Sequence, residues 1–165
     1  MIPWNVRPVE EANLLNPAFC SLNIASAVSG YTKQIDNSAP FALLFLVLPL
    51  VLHKSTRILL PRTIKTYLAP WIQKNYDLRI NFADRVISLK PFTKEAIIFG
   101  CNTKLIQIKC DGSISPLFSP GFIKKVTNNL DKEASECIEK AFFVGRWIST
   151  SGSPETIMTL LGVKP

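Results

Sequence analysis

The chain has 165 residues, of which 19 are Lys or Arg and 12 are Asp or Glu, so its formal net charge is +7. Hydrophobic residues make up 47% of the chain and charged residues 19%, a composition that excludes an intrinsically disordered protein. The length suits a core that needs no disulfides, and we expect a single domain over residues 1–165.

The first third of the chain is predicted to contain an arm, a helix and a long apolar segment. Residues 1–9 show no periodicity, which predicts an extended arm. Asn16 followed by Pro17 is typical of a helix start, and the apolar spacing after it predicts a helix over about 17–32. The fourteen apolar residues 39–52 are too few to span a bilayer. They predict a helix that is buried on all faces. We expect this chain to enclose part of that helix and a partner protein to enclose the rest.

Helices and one hairpin are predicted for the middle of the chain. We expect helices at about 54–60, 62–75 with a kink at Pro70, and 79–89 with an end at Pro91. A short helix is expected at about 92–100, followed by strands at 105–109 and 114–118. The dipeptide Asp111-Gly112 between the strands predicts a type I′ turn.

The last third is predicted to be helical again. Residues 119–129 are expected to form a loop or short helix, and Asp131 to cap a helix over about 132–150. Ser153-Pro154 predicts a last short helix that ends at Gly162. The fold class is therefore α+β and mainly α-helical. We expect a winged helix-turn-helix-like core at 55–118, with N- and C-terminal helices around it and a C-terminal helical segment at 131–165.

The residue types that support catalysis or metal binding are scarce. His53 is the single histidine, and it directly follows the apolar segment, which favours a structural position. The cysteines show no Cys-x-x-Cys spacing, and no Gly-rich phosphate loop is present; they are Cys20, Cys101, Cys110 and Cys137. We expect no enzymatic activity, no metal and no cofactor. With no secretory signal in the sequence, we expect a cytoplasmic protein with reduced thiols.

The positive charge is concentrated in one segment. Residues 53–109 carry eleven basic and three acidic side chains, whereas the flanking segments are close to neutral. On a winged helix this charge favours nucleic-acid binding. The expected helix at 92–100 lacks the Arg, Asn and Gln side chains that read base edges, so we expect non-specific contact with double-stranded DNA. The candidate phosphate-contacting residues are Lys54, Arg57, Arg62, Lys65, Lys104 and Lys109.

Two other interpretations of this segment stay open. A winged helix also serves as a protein-docking module, and basic residues also simply solvate the outside of a small domain. A second candidate surface lies near the C-terminus, where Phe143, Arg146 and Trp147 are the residue types that anchor protein interfaces. The alternative there is that Phe142 and Trp147 belong to the core. Arg146 then either extends to solvent or pairs with a carboxylate of this or another chain.

Three long motifs resemble one protein family. They are RPVEEANLLNPAFC from residue 7, PLVLHKSTRILLP from residue 49 and FVGRWISTSGSPETIMTLLGVKP from residue 143. Together they resemble the middle component of bacterial ABC three-component systems, a group that overlaps Lamassu anti-phage defence. The resemblance implies a non-catalytic accessory subunit. Its partners would be an SMC/Rad50-like ABC ATPase and a nuclease-type effector, and it would help couple foreign-DNA sensing to the effector.

Two alternatives come from other functional classes. The first is a stand-alone winged-helix DNA-binding regulator, which predicts a preference for particular DNA sequences. The second is a small hydrolase that uses His53 with a serine or cysteine nucleophile.

Overall fold

The structure is a computed structural model that describes residues 7–8, 14–119 and 121–164. The arm expected at residues 1–9 lies, except for Arg7 and Pro8, outside the described residues. The helices are α1 (Pro17–Ile35), α2 (Leu44–Val51), α3 (Lys54–Leu59), α4 (Leu68–Lys74), α5 (Phe82–Asn102), α6 (Phe122–Thr127), α7 (Lys132–Ile148) and α8 (Pro154–Leu160). The strands are β1 (Ile106–Ile108) and β2 (Ile114–Pro116), and short 3-10 turns cover Phe41–Leu43 and Tyr76–Arg79. The mainly helical α+β class is confirmed.

Helix α1 is central, because α5 and α7 both pack along it and α2 contacts all three. One apolar cluster joins α2 to α4, α7 and α8. A second cluster joins α1 and α2 to α5 and the hairpin. The side chains of α1 from Ser21 are therefore buried almost without interruption up to Val28, apart from Leu22.

The expected helix starts are confirmed where a side chain can cap the first turn. Asn16 Oδ1 accepts from the Ala18 N–H at 2.8 Å, Asp131 Oδ1 accepts from the Ala134 N–H at 2.9 Å, and Ser153 Oγ accepts from the Thr156 N–H at 3.3 Å. Each bond satisfies an N–H that the helix itself leaves free. Gly162, which has a φ of 76°, follows the end of α8 as expected.

The apolar segment 39–52 is buried, but it is not one helix. Ala39 forms a β-bridge with Ile114, Phe41–Leu43 is a 3-10 turn, and the α-helix begins only at Leu44. Every residue of α2 except Phe45 is buried, and the packed helices of this chain provide that enclosure. Within the described residues, no helix is long and apolar enough to cross a membrane.

The predictions around Pro91 are wrong, because α5 runs without a break from Phe82 to Asn102. Pro91 has no N–H to donate to the Ile87 carbonyl, but both residues are exposed, so water can bind that carbonyl. The opposite face of the helix continues into the core with Thr93, Ala96 and Ile97. The separate helix expected at 92–100 is therefore the C-terminal half of α5, and it packs against α1.

The helix expected at 62–75 is also shorter than predicted. Helix α4 begins at Leu68, so Pro70 lies in its first turn, where an N–H would have no helical acceptor. Tyr76–Arg79 forms a 3-10 turn instead of the start of the next helix, and Asn81, with a φ of 61°, precedes α5. The order of helices followed by a hairpin is retained, and the winged-helix interpretation stays a prediction.

The hairpin lies where the alternation predicted it, with Gln107 opposite Ser115. Its turn is not type I′, which needs positive φ at both central residues. Only Gly112 has a positive φ, of 77°, and the Lys109 N–H donates to the Ser113 carbonyl. This is the pattern of a three-residue loop with glycine in the left-handed position.

Candidate functional site

Five of the six candidate phosphate-contacting residues are exposed. Lys54 begins α3, and Arg62 and Lys65 lie in the loop before α4. Lys104 and Lys109 flank β1 at the hairpin. The Lys104 backbone has a φ of 57° and belongs to a Schellman motif, in which the Leu105 N–H donates to the Gly100 carbonyl at 2.8 Å. These five side chains are free to reach an anionic partner.

Arg57, the sixth candidate, is 1% exposed. Its Nη2 donates to Glu133 Oε1 at 2.9 Å, its Nε lies 3.5 Å from Glu136 Oε1, and its Nη1 donates to the Val51 carbonyl at 2.8 Å. Burial alone lowers the pKa of this guanidinium. The hydrogen bond to Glu133 and the neighbouring carboxylate charges outweigh burial and raise the pKa above its usual value. Arg57 therefore joins α2, α3 and α7 internally, and its side chain does not face solvent.

Trp147 also lies in the core. Its Nε1 donates to the Thr66 carbonyl at 2.7 Å, and its ring meets the edge of Trp71 with centroids 4.9 Å apart. The indole N–H thus has the partner that a buried Trp needs. This position agrees with the alternative that Trp147 is a core residue.

The other two residues of the C-terminal candidate surface are partly buried. Phe143 stacks on Trp147 with centroids 6.3 Å apart, and Lys140 Nζ lies 5.9 Å from the Phe143 centroid. Arg146 Nε donates to Gln34 Oε1 at 3.0 Å, so its described acceptor is a carboxamide. Of the two alternatives for this side chain, pairing with a carboxylate is not seen among the described residues, and the partly buried Arg146 keeps some access to solvent. Phe143 and Arg146 keep some accessible surface for a partner.

An apolar groove of about 680 Å³ lies between the beginnings of α1 and α7. Its walls include Leu15, Phe19, Leu52 and Ala134, and the Arg57 and Glu133 pair borders it. The groove therefore combines apolar walls with a polar edge, a surface that suits an apolar side chain of a ligand or partner. Nothing in the order of residues along the chain marks this groove.

A second cleft, which sequence reasoning missed, surrounds His53. Its Nδ1 lies 2.9 Å from Ser55 Oγ and 3.1 Å from Thr56 Oγ1, and Arg85 Nη1 donates to the same Thr56 oxygen at 2.8 Å. Burial, and then the charge of Arg85, lower the pKa of the imidazole. The local spacing of His53, Ser55 and Thr56 is visible in the sequence, but Arg85 arrives from α5, 29 residues after Thr56.

The chemistry of the hydrolase alternative would have to use this cleft. Ser55 and Thr56 share one ring nitrogen of His53, and no carboxylate of the described residues hydrogen-bonds the imidazole. A Ser/His arrangement of the usual kind needs a third group to orient the base. Over the described ranges, no three His, Cys, Asp or Glu side chains are grouped so that they could hold a metal ion.

Comparison with protein families agrees with the resemblance of the three motifs. The family model for Middle Component 3 of ABC-three component (ABC-3C) systems matches residues 4–165. No curated protein and no solved structure matches the chain. A component of such a system acts together with the partner proteins of that system. Because the match spans all but the first three residues, the chain belongs to the ABC-3C Middle Component 3 family.

Proposed function

We propose that the chain is a non-catalytic accessory subunit of a cytoplasmic anti-phage or anti-plasmid defence complex of the Lamassu type. In this proposal it binds an SMC-like ABC ATPase and helps couple the sensing of foreign DNA to a nuclease-type effector. The family match over residues 4–165 carries the proposal. The exposed lysines and the apolar groove support it, because they offer surfaces for more than one partner.

Co-expression with the ATPase and the effector tests the proposal. We expect a tag on this chain to retain both partners at physiological salt through affinity and size-exclusion steps. A tag on the effector should retain the other two proteins in the same ratio. Three proteins that elute separately at this ionic strength would contradict the accessory-subunit function.

The same complex allows a test of the proposed DNA contact. Phosphate contacts release counterions, so each contact that is lost should reduce the slope of log affinity against log salt by about 0.9. We expect Lys54→Glu, Arg62→Glu and Lys65→Glu together to weaken binding of random duplex DNA and to flatten this slope. The matched control reverses three exposed lysines outside the basic segment, Lys124, Lys125 and Lys132.

The outcome separates the remaining interpretations. An unchanged slope in the first variant would assign these side chains to a protein partner or to solvent. Tight binding by the isolated chain to one DNA sequence over random duplex would support the stand-alone regulator instead. The described part of α5 between 92 and 100 exposes Lys94 and Ile98 and no Arg, Asn or Gln, which argues against such a preference.

A further inference from the structure

Two exposed tyrosines flank helix α4. Tyr67 directly precedes the helix and is 79% exposed, and Tyr76 lies two residues after its end and is 66% exposed. The next most exposed aromatic side chain of the described residues, Phe41, is 39% exposed. Within the part of the chain that the structure describes, neither tyrosine ring stacks on another ring or on a cation, and neither hydroxyl forms a hydrogen bond. Both rings are therefore accessible to a ligand.

The backbone beside each tyrosine is held by the core. The carbonyl of Thr66, which precedes the first tyrosine, accepts from Trp147 Nε1 at 2.7 Å. Asn75, which precedes the second tyrosine, donates from Nδ2 to the Trp71 carbonyl at 2.8 Å. The tyrosines therefore project from a fixed backbone, which lowers the entropic cost of ordering this surface around a ligand.

The α4 surface, which we define as residues 62–79, is positively charged. Its four basic residues are all exposed, and none forms an ion pair with a described carboxylate; they are Arg62, Lys65, Lys74 and Arg79. Asp77 is the one acidic residue of this range, so four basic side chains and one acidic side chain give a net charge of +3. Helix α8, which packs on α4, and the residues after it carry Glu155 and Lys164, whose charges cancel. The positive charge of the α4 surface is therefore not compensated.

A ligand of this surface must supply both negative charge and flat apolar faces. A single-stranded nucleic acid supplies both, because its phosphates are charged and its unpaired bases stack on aromatic side chains. In a duplex the bases already stack on each other, so the tyrosine rings would gain no partner. The core of a protein interface is depleted in charged residues, so four unpaired cations fit it poorly. Helix α4 is about 10 Å long, and a strand of a few nucleotides can reach both tyrosines.

We propose that the α4 surface binds single-stranded nucleic acid. Tyr67 and Tyr76 each stack on an unpaired base, and the four basic side chains contact phosphates. Because these contacts go to ring faces and to the backbone, binding does not depend on the order of the bases. This inference goes beyond the proposed function, which assigns duplex phosphate contacts to Arg62 and Lys65 and no role to the tyrosines. It requires no other subunit, so the isolated chain can test it.

Binding of a labelled oligonucleotide to the isolated full chain tests the proposal. The probe is an oligodeoxythymidylate of about 15 nucleotides, and fluorescence anisotropy measures its binding. We expect Tyr67→Ala and Tyr76→Ala each to raise the Kd about fivefold or more. Tyr67→Phe and Tyr76→Phe keep the ring and should leave the Kd within about twofold. The proposal is overturned if the wild-type chain shows no saturable binding or if both alanine variants bind as tightly as the wild type.

Two controls separate stacking from general effects of substitution. Ile98→Ala truncates a side chain on α5 that is 60% exposed, and it should leave the Kd within about twofold. A duplex of the same length should bind the wild type and the two alanine variants equally, since its bases are already stacked. An equal loss of duplex binding in the alanine variants would overturn the stacking contact. Both tyrosines are exposed, so the thermal unfolding midpoint of each variant should stay unchanged and verifies that it is folded.

The phosphate contacts have a test of their own. Lys74→Gln and Arg79→Gln should each reduce the slope of log affinity against log salt by about 0.7, the value for one phosphate contact of a single strand. The matched controls are Lys124→Gln and Lys125→Gln, at two exposed lysines of α6, and they should leave the slope unchanged. Equal slopes for the wild type and all four variants would overturn the phosphate contacts of this surface.

The remaining outcomes distinguish the possible ligands. A second titration uses oligouridylate, and the strand with the lower Kd, if its binding depends on the same two tyrosines, is the preferred single strand. If neither strand binds and Tyr67→Ala weakens the retention of a co-expressed partner, the α4 surface is a protein interface and the proposal is overturned. If the chain binds the oligodeoxythymidylate but retains no co-expressed partner, the single-strand proposal stands and the proposed function fails.

Discussion

Gly145 of α7 lies directly against the backbone of Ala27 of α1. A Cβ atom at position 145 would overlap the Ala27 carbonyl oxygen, and a Cβ at Gly30 would overlap the Phe142 carbonyl oxygen in the same way. Ser26 Oγ, one residue before Ala27 on α1, donates to the Ile138 carbonyl of α7 at 2.8 Å. The two glycines thus let α1 and α7 pack backbone against backbone.

We expect Gly145→Ala to lower the free energy of unfolding by about 2–3 kcal/mol, because the helices must separate to admit the methyl group. Urea unfolding followed by circular dichroism measures this change. The control is Gly121→Ala, where a Cβ would meet nothing within 4 Å and φ is already negative. Gly121→Ala should change the free energy of unfolding by no more than about 0.5 kcal/mol. Equal effects of the two substitutions would contradict the close contact of α1 with α7.

Arg57→Met should lower the free energy of unfolding by about 2–4 kcal/mol. The substitution leaves the buried Val51 carbonyl with only the weak thiol donor of Cys137, at 3.6 Å. Glu133→Gln should lower the free energy of unfolding by less than about 1 kcal/mol, since Glu133 is 64% exposed and water can replace the ion pair. Chemical denaturation of both variants gives the comparison. A larger loss of stability with Glu133→Gln than with Arg57→Met would mean that the ion pair contributes more to stability than the contact with the Val51 carbonyl.

Pro91→Ala should raise the free energy of unfolding by about 1–3 kcal/mol. Alanine restores the N–H that the continuous helix lacks at this position and removes the ring from the Ile87 carbonyl. The matched control, Pro70→Ala, lies in the first turn of α4, where no helical hydrogen bond is gained. The midpoint of thermal unfolding should therefore rise for Pro91→Ala and stay unchanged for Pro70→Ala. A neutral or destabilising Pro91→Ala would favour the interrupted helix that the sequence predicts.

The pKa of His53 should lie below 6.5, because burial and the nearby Arg85 charge both disfavour the imidazolium. A lowered pKa means that the folded state favours the neutral ring. This contribution to stability is complete above pH 6.5 and is lost as the pH falls through the folded-state pKa. Proton NMR of the single imidazole should give a midpoint below 6.5, and Arg85→Gln should raise it. A wild-type midpoint at or above 6.5 would refute the placement of Arg85 beside the ring.

The thiols should react in the order of their exposure. Cys110 is exposed at the hairpin turn, whereas Cys20 is fully buried in α1, where burial and then Glu95 raise its pKa to about 12. We expect a disulfide reagent at pH 8 to modify Cys110 rapidly and Cys20 only after unfolding. Cys110→Ser should remove the fast phase. Rapid modification of Cys20 in the native protein would contradict its position in the core.

Local features of the fold were predictable from the sequence, because they depend on groups within a few residues. The caps at Asn16, Asp131 and Ser153 and the strands around Gly112 are all where the sequence places them. The errors occur where tertiary packing outweighs a local signal. Proline disfavours the interior of a helix, yet α5 is continuous at Pro91 because residues on both sides of it are buried in the core.

The candidate sites show the same division. From the sequence, Arg57 and Arg85 are two basic residues of one positively charged segment. In the structure Arg57 pairs with Glu133, 76 residues away, while Arg85 hydrogen-bonds Thr56 beside His53 and forms no ion pair with any carboxylate of the described residues. The sequence by itself determined the amount of charge, the family and the local elements. Only the tertiary structure decided which charges are buried, paired or left to bind a partner, because each pairing group comes from a distant part of the chain.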